Sequence, residues 1–556
     1  MAKRGRGKWQ QKIAFVADDG DANLHQQDAE NLSTQIASKT ASYELQKVYV
    51  DAFPQIGTPV HAPEASKTID RLIDEGVLIM NYTGHGGISI WADEQIVTLQ
   101  NILSWRNLDN LPLIITATCE FGRYDNPGEV SGAELAVLSP RGGAIAMLTT
   151  ARPVYASTNF LLNEAFYESA LERTSGDVPR LGDLMRMTKN KSFSGVFNRN
   201  FTLLGDPSLR LNYPDFDVDI TTLDTLKAGG KARISGQIKR GNILVGDFNG
   251  VASISIFDKE NQLMTLGSEG SKMPYKQYKS KIFEGKVSVK NGLFFADFVV
   301  PKNIDTKFGN GLVQIYAINA DSSANAIGGS RKIMVGGINT HLNDTQPPVI
   351  QMYLNDENFI EDNPVDDSPL LIANLSDDNG INVLQPMTLT LNDTLSVVIN
   401  DYFSAIQDNF KRGTVRYPFK KLPAGDYLLR LKVADTYTNW NESTLRFKVG
   451  KKSTIVKNVI AYPNPFTEQA TLQVELVNEG EDVEITTFIY DISGNLVKSE
   501  MKTFYNSDAI LTAINWNAAM QHHQPVPVGI YVYRITIKSL TRQQTQIVGG
   551  KLIKPK

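Results

Sequence analysis

Short apolar runs alternate with amphipathic stretches through the first two hundred residues. Residues 13–17, Ile-Ala-Phe-Val-Ala, contain no polar member and stop at Asp18-Asp19-Gly20-Asp21. A run of that length bounded by turn residues reads as a strand buried on both faces. Helical character follows over 26–39, a strand over 46–50, an amphipathic helix over 64–75 and another buried strand over 77–80. The alternation continues with a strand at 113–115, a helix from about 133, a strand over 143–149 and a helix over 158–173. Strand–helix–strand order predicts parallel pairing with right-handed crossovers. An α/β domain with a parallel sheet is therefore expected over 1–213, ending in Leu204-Gly205-Asp206-Pro207-Ser208-Leu209.

Beyond residue 214 the period changes from helical to two. Ala232-Arg233-Ile234-Ser235-Gly236 and Val251-Ala252-Ser253-Ile254-Ser255-Ile256 alternate, with turn signals about every ten residues. That is the pattern of antiparallel sandwiches. A β-sandwich is expected over 214–345 and, after the Gln346-Pro347-Pro348 hinge, an Ig-like one over 346–452. A third β unit is expected over 457–556, from Tyr462-Pro463-Asn464-Pro465-Phe466 onward.

With 42% hydrophobic and 21% charged residues among 556, the chain belongs with folded proteins of several domains. Its net charge of −4 gives no global field for nucleic acid, and no nucleic-acid partner is expected. The basic start (Lys3, Arg4, Arg6, Lys8, Lys12) lacks interleaved aromatics and reads as a solvated tail. No apolar run approaches the ~18 residues of a membrane-spanning helix. The N-terminus has no apolar stretch of signal-peptide type.

The single cysteine excludes an internal disulfide and raises the question of what it does. A lone cysteine is commonly a small buried hydrophobe. Cys119, however, follows the run 113–115 and precedes polar and glycine residues, the setting of a strand-end group. His85 follows the run 77–80, 34 positions earlier, inside Thr83-Gly84-His85-Gly86-Gly87. Catalytic groups of parallel sheets gather at the carboxyl ends of strands, so the two can share one rim. A thiol beside an imidazole exchanges a proton and becomes a nucleophilic thiolate. The glycines admit close backbone approach, and the amides of Gly86 and Cys119 are candidates for an oxyanion hole.

The acidic loop 18–25 offers a third member. Asp19, Asp21, Asn23 and Glu30 fall at calcium-loop spacing, but Leu24 stands where that loop requires glycine, and a strand precedes it. A carboxylate orienting His85 is the better use: Asp21 first, Asp19 as rival, with a plain solvated loop the alternative. Trp91 and Asp93 either line a substrate pocket or, for Trp91, cap the core. The six histidines show no metal-binding spacing. No metal or other cofactor is expected; calcium is not predicted, though its binding stays open at this point.

At these residues the chain resembles the gingipain family of cysteine peptidases (clan CD, caspase-like fold). The resemblance rests on Asn81-Tyr82-Thr83-Gly84-His85-Gly86, Cys119 and Leu204-Gly205-Asp206-Pro207, and covers about residues 12–213. Thr118-Cys119-Glu120-Phe121, Gly132-Ala133-Glu134-Leu135-Ala136 and Gly142-Gly143-Ala144-Ile145-Ala146 are similar to the sortases of the type IX secretion system. Tyr462-Pro463-Asn464-Pro465-Phe466, Ile489-Tyr490-Asp491-Ile492-Ser493-Gly494, Pro527-Val528-Gly529-Ile530-Tyr531 and Lys551-Leu552-Ile553-Lys554 resemble a type A C-terminal sorting domain.

The resemblance implies a cell-surface, outer-membrane-associated enzyme of Bacteroidota. It would cut the sorting domain from exported cargo as an acyl-enzyme and pass the acyl group to an amine on anionic lipopolysaccharide. Cys119 would be the nucleophile, His85 the general acid/base, and the family's carboxylate would fall within 18–21. Implied partners are exported proteins bearing sorting domains, the outer-membrane shuttle barrel PorV, the attachment-complex subunits PorQ and PorZ, and the lipopolysaccharide acceptor. Family members are longer at the N-terminus, with a signal peptide, a β-rich region and an N-terminal catalytic subdomain, so the peptidase domain is expected to be N-terminally truncated. Two other functions stay open: a gingipain-like hydrolytic endopeptidase, and a non-catalytic surface scaffold.

Overall fold

The computed structural model describes residues 5–171, 178–223, 225–268, 270–339, 343–450, 455–519, 525–541 and 544–555. Lys3, Arg4, His341, His522, His523 and the end of the helix expected over 158–173 lie outside them. Packing divides the chain into two compact units, 1–359 with 370–418 and 428–445, and 360–369 with 419–427 and 446–556.

The first unit begins with an α/β domain. Its elements are β1 Lys12–Ala17, α1 Gly20–Lys39, β2 Glu44–Tyr49, α2 Pro63–Glu75, β3 Ile79–Thr83, a small hairpin of β4 Ile90–Trp91 and β5 Val97–Thr98, α3 Leu99–Ser104, β6 Leu113–Ala117, α4 Gly132–Leu138, β7 Ala146–Thr150, α5 Ala156–Ala170, α6 Leu181–Lys191, α7 Val196–Asn200 and β8 Phe201–Gly205. The six-stranded sheet runs β2-β1-β3-β6-β7-β8. The first five strands are parallel, as alternation predicts. The last is not: β8 pairs antiparallel with β7, so the expectation of a wholly parallel sheet is corrected at this edge. Three helices, α5, α6 and α7, intervene there and bring the chain back in the opposite sense.

Period-two alternation assigns the two faces. Ile13, Phe15 and Ala17 join α1 and α5 residues (Leu32, Ile36, Leu162, Phe166) on one side. Ala14 and Val16 join α2 and α4 residues (Ile69, Leu72, Ile73, Ala136) on the other. Burial of side chains such as Phe15 or Leu32 supplies ~1.5–3 kcal/mol each. The strand expected over 77–80 lies further along, at 79–83, because polar Asn81 and Thr83 are buried and partnered. Asn81 donates to Asn163 Oδ1 of α5 at 2.9 Å and accepts from Thr83.

The apolar core does not stop where the α/β sheet ends. Tyr316 and Ile327, from the following eight-stranded, mostly antiparallel sheet, and Met273 and Tyr275, at a two-stranded hairpin, belong to the same cluster as α1 and α5. That eight-stranded sheet has its own core of Ile234, Ile254, Phe294, Phe298 and Ile315. The basic start, expected to be a solvated tail, is pinned across this boundary: Arg6 pairs with Asp215, and Lys8 reaches Glu284 at 2.9 Å. Lys12 reaches Glu75 at 2.9 Å. A four-stranded antiparallel sheet follows, of Val349–Leu354, Leu370–Ser376, Asn409–Pro418 and Phe403–Ile406. Thr388–Leu391 joins Leu395–Val398 and Gly425–Ala434 in another.

In the second unit, a three-stranded and a four-stranded antiparallel sheet pack around Phe466, Trp516, Ile485 and Ile537. The motif residues hold this sandwich together. Asn464 donates to Lys551 O and accepts from Ile553 N, tying the Tyr-Pro-Asn-Pro-Phe turn to the last strand, Gln544–Lys554. Asp491 accepts the amides of Ser493 and Asn495, closing its turn. Tyr531 donates to Pro527 O at 2.6 Å. No helix of the described residues is long and apolar enough to cross a membrane.

Candidate active site

The chain leaves β1 outward to β2 and returns past β1 to β3, so the topological switch lies between β1 and β3. Crevices form at the carboxyl ends of strands at such a point. Register fixes what stands there. Ala17 pairs with Thr83 and Thr83 with Ala117, so Asp19, His85 and Cys119 each stand two residues past one paired row.

His85 sits in a strapped loop. Its backbone N–H donates to Asp18 Oδ2 at 2.5 Å, and Tyr82 O–H donates to its carbonyl. Ala92 N donates to that carbonyl too, and Gly87 N to Ile90 O. These bonds flank the Gly86–Trp91 bridge, which leaves the Gly86 N–H outside the ladder. A Cβ at Gly86 would lie 2.9 Å from Ile90 O and 2.7 Å from Thr118 Oγ1, so only glycine fits. Gly132 N donates to Ile88 O, anchoring the loop to the start of α4.

On the other side of the imidazole lies the turn into α1. Asp21, Ala22 and Asn23 adopt left-handed φ of 54°, 55° and 68° before the helix becomes right-handed. Three such residues cost ~1–2 kcal/mol each, strain of the kind found at functional sites. The turn brings Asp21 Oδ2 to 3.6 Å from His85 Nε2 and 3.6 Å from His25 Nε2. Asp19 turns elsewhere, accepting from Gln55 at 2.6 Å. Glu30, the last position of the calcium-like spacing, bonds Lys47 and Tyr49 away from the loop.

Cys119 is half-buried, and its Sγ donates to Val154 O at 3.6 Å. Asn159 of α5 donates to Ala117 O, and Thr150 to Thr118 O, fixing the strand end below it. Glu120, next in the chain, has φ 54°, the sharp turn that separates the cysteine from the core-packed Phe121. Trp91 does not line a pocket: it is 1% exposed, stacks on Tyr82 at 4.6 Å and meets Phe121 edge-on. Its indole supports the histidine loop from beneath, so the pocket reading is corrected to the core one. Asp93 is exposed.

Sequence reasoning passed over His25 and reached Asp18 only as part of the range 18–21. Burial pushes the Asp18 carboxyl well up, with Glu94, Asp19 and Asp93 adding to it against the His85 amide. Burial and the nearby His85 lower His25 to about 4. Its ring meets that of His85 edge-on at 5.0 Å. The available signal was the spacing of Asp21 and His25, four residues apart at a helix start.

Residues 1–212 match peptidase family C25. This segment is thus similar to the C25 peptidases. Residues 460–549 match the secretion system C-terminal sorting domain. Gingipain R1 of Porphyromonas gingivalis is 23% identical over 297 residues, 47% of this chain and 28% of that protein. The chain thus spans about a quarter of the length of that relative. Among solved structures, dimeric latent PorU from Porphyromonas gingivalis is 27% identical, covering 75% of this chain and 41% of that one with TM-score 0.30. The complex of Porphyromonas gingivalis RgpB pro- and mature domains is 16% identical, covering 59% and 69% with TM-score 0.30. Cys119, His85 and Asp21 all lie within the matched segment.

Proposed function

We propose that the chain is a cell-surface cysteine peptidase of sortase type, in which Cys119 attacks and His85 moves the proton. What supports the reading is the common rank of His85 and Cys119 past paired strand ends, with Asp21 against the imidazole. Asp21 holds the Nε2–H tautomer, leaving the Nδ1 lone pair for the thiol. The thiol proton passes to Nδ1, and the thiolate adds to the scissile carbonyl of a sorting-domain junction. Gly86 and Cys119 N–H groups receive the oxyanion. The imidazolium then protonates the departing amine, and a thioester remains. An amine of anionic lipopolysaccharide, deprotonated by His85, displaces the sulfur and forms the new amide. The cargo is exported protein bearing sorting domains, delivered through PorV with PorQ and PorZ alongside. The sorting-domain match at 460–549 supports the surface location.

The test is product analysis. Incubation of the full chain with a cargo junction peptide and an amine acceptor should give an amine conjugate by mass spectrometry. Hydrolysed peptide alone would make the enzyme a gingipain-like endopeptidase. No Cys119-linked adduct with any peptide would leave a surface scaffold.

A further inference from the structure

We propose that Asp18, His25 and His85 form a binding site for a divalent transition metal of zinc type, with Asp21 as the fourth ligand on the solvent side. Ligand atoms of the first three all lie within 4.8 Å of one another. His25 Nε2 is 3.9 Å from Asp18 Oδ1 and 3.6 Å from Asp21 Oδ2, which is in turn 3.6 Å from His85 Nε2. A tetrahedral zinc with bonds of about 2.0–2.1 Å has ligand–ligand edges of about 3.3 Å, so the two 3.6 Å gaps close by about 0.3 Å and the 3.9 Å gap by about 0.6 Å.

The second observation is the state of the buried atoms. The side chains of Asp18 and His25 are 3% and 4% exposed. Asp18 Oδ1 and both ring nitrogens of His25 make no hydrogen bond. Groups so buried cost about 1–3 kcal/mol each when left without one. Asp18 divides its labour: Oδ2 holds the His85 amide, and Oδ1 faces His25. Space for the ion is kept by Gly20, where a Cβ would lie 2.6 Å from His85 Cδ2 and 3.1 Å from its Nε2. Two imidazoles and carboxylate oxygens suit zinc and its neighbours in the first transition row, and too few oxygens converge for calcium.

Occupation would silence the peptidase without touching the thiol. Metal bound through Nε2 forces the remaining ring proton onto Nδ1, so His85 has no lone pair for the Cys119 proton. This consequence rests on the proposed role of His85; the site does not.

The test uses the full chain carrying Cys119→Ala, titrated with Co(II). One equivalent should give the visible absorption of four-coordinate cobalt and be displaced by zinc. His25→Gln should weaken binding at least about tenfold, since even outer-shell changes cost that much. Should that variant fail to fold, Asp21→Asn, at a half-exposed position, should show reduced absorption per bound ion. Absence of the absorption, or its persistence unchanged in both variants, would overturn the site. Because the background lacks the thiol, none of these outcomes bears on the peptidase reading, which product analysis decides separately.

Discussion

Two groups of acidic residues in the first compact unit look alike and behave differently. Asp18, with His25 and His85, sits at the switch point of the α/β sheet; Asp344, Asp377 and Asp435 gather at the loops of a later β region. In the second group the carboxylates serve the backbone. Asp435 accepts the amides of Tyr437 and Asn439 and the Asn439 side chain. Asp377 accepts from Asn379 and Gly380, and Asp344 from Gln346 and Asn379. In the first group one carboxylate oxygen and two ring nitrogens go without a hydrogen bond. Residue type does not separate a loop brace from a reactive centre; the disposition of lone pairs does.

The largest contrast is chemical. Cys119→Ala or His85→Ala is expected to lower labelling by a thiol-directed peptide probe on the order of 10³-fold or more, with circular dichroism unchanged. Asp435→Asn should leave the labelling rate alone. Next comes the carboxylate beside the imidazole. Asp21→Asn should reduce kcat by about a hundredfold through loss of tautomer control, and Asp19→Asn far less, which steady-state kinetics will read. Equal losses would erase the distinction between the two aspartates.

On the brace side, Asp435→Ala strands buried amides and should cost about 2 kcal/mol in denaturant unfolding. The smallest effect is pH-dependent. Burial raises Asp377 to about 6 from its ordinary 3.8. A carboxyl raised on folding binds its proton more tightly in the folded state, so stability declines as pH climbs from about 4 to about 6. The group is half-exposed, so the discounted loss is ~1 kcal/mol. Asp377→Asn should therefore melt higher at neutral pH, and the gain should vanish below about pH 4.

Much of this was legible in the chain. Fully apolar runs before Asp18 and Cys119 announce buried parallel strands, and the place of each after its run puts it at the sheet rim. Trp91 misled because a tryptophan six residues after a candidate base suits a pocket or a core equally. Only the stack on Tyr82 decides. His25 was missed for the opposite reason: its spacing from Asp21 was readable, but its partners arise from a left-handed turn at Asp21–Asn23, which no periodicity encodes. The antiparallel β8 depends on three helices doubling the chain back, a matter of packing between elements. Lys8 and Arg6 read as solvated because their partners, Glu284 and Asp215, lie more than two hundred positions away.

The turn carrying Asp21 has one further property. Asn23, its last left-handed residue, donates through its amide to Ser271 O at 2.5 Å across 248 positions. Asp51, just past β2, likewise captures the amides of Gly267 and Ser268. A ribosome that has made the whole peptidase segment has not yet made the clamp on its acidic turn. The acidic turn is thereby restrained in part by residues that follow the entire α/β domain, and a chain cut after that domain loses those hydrogen bonds.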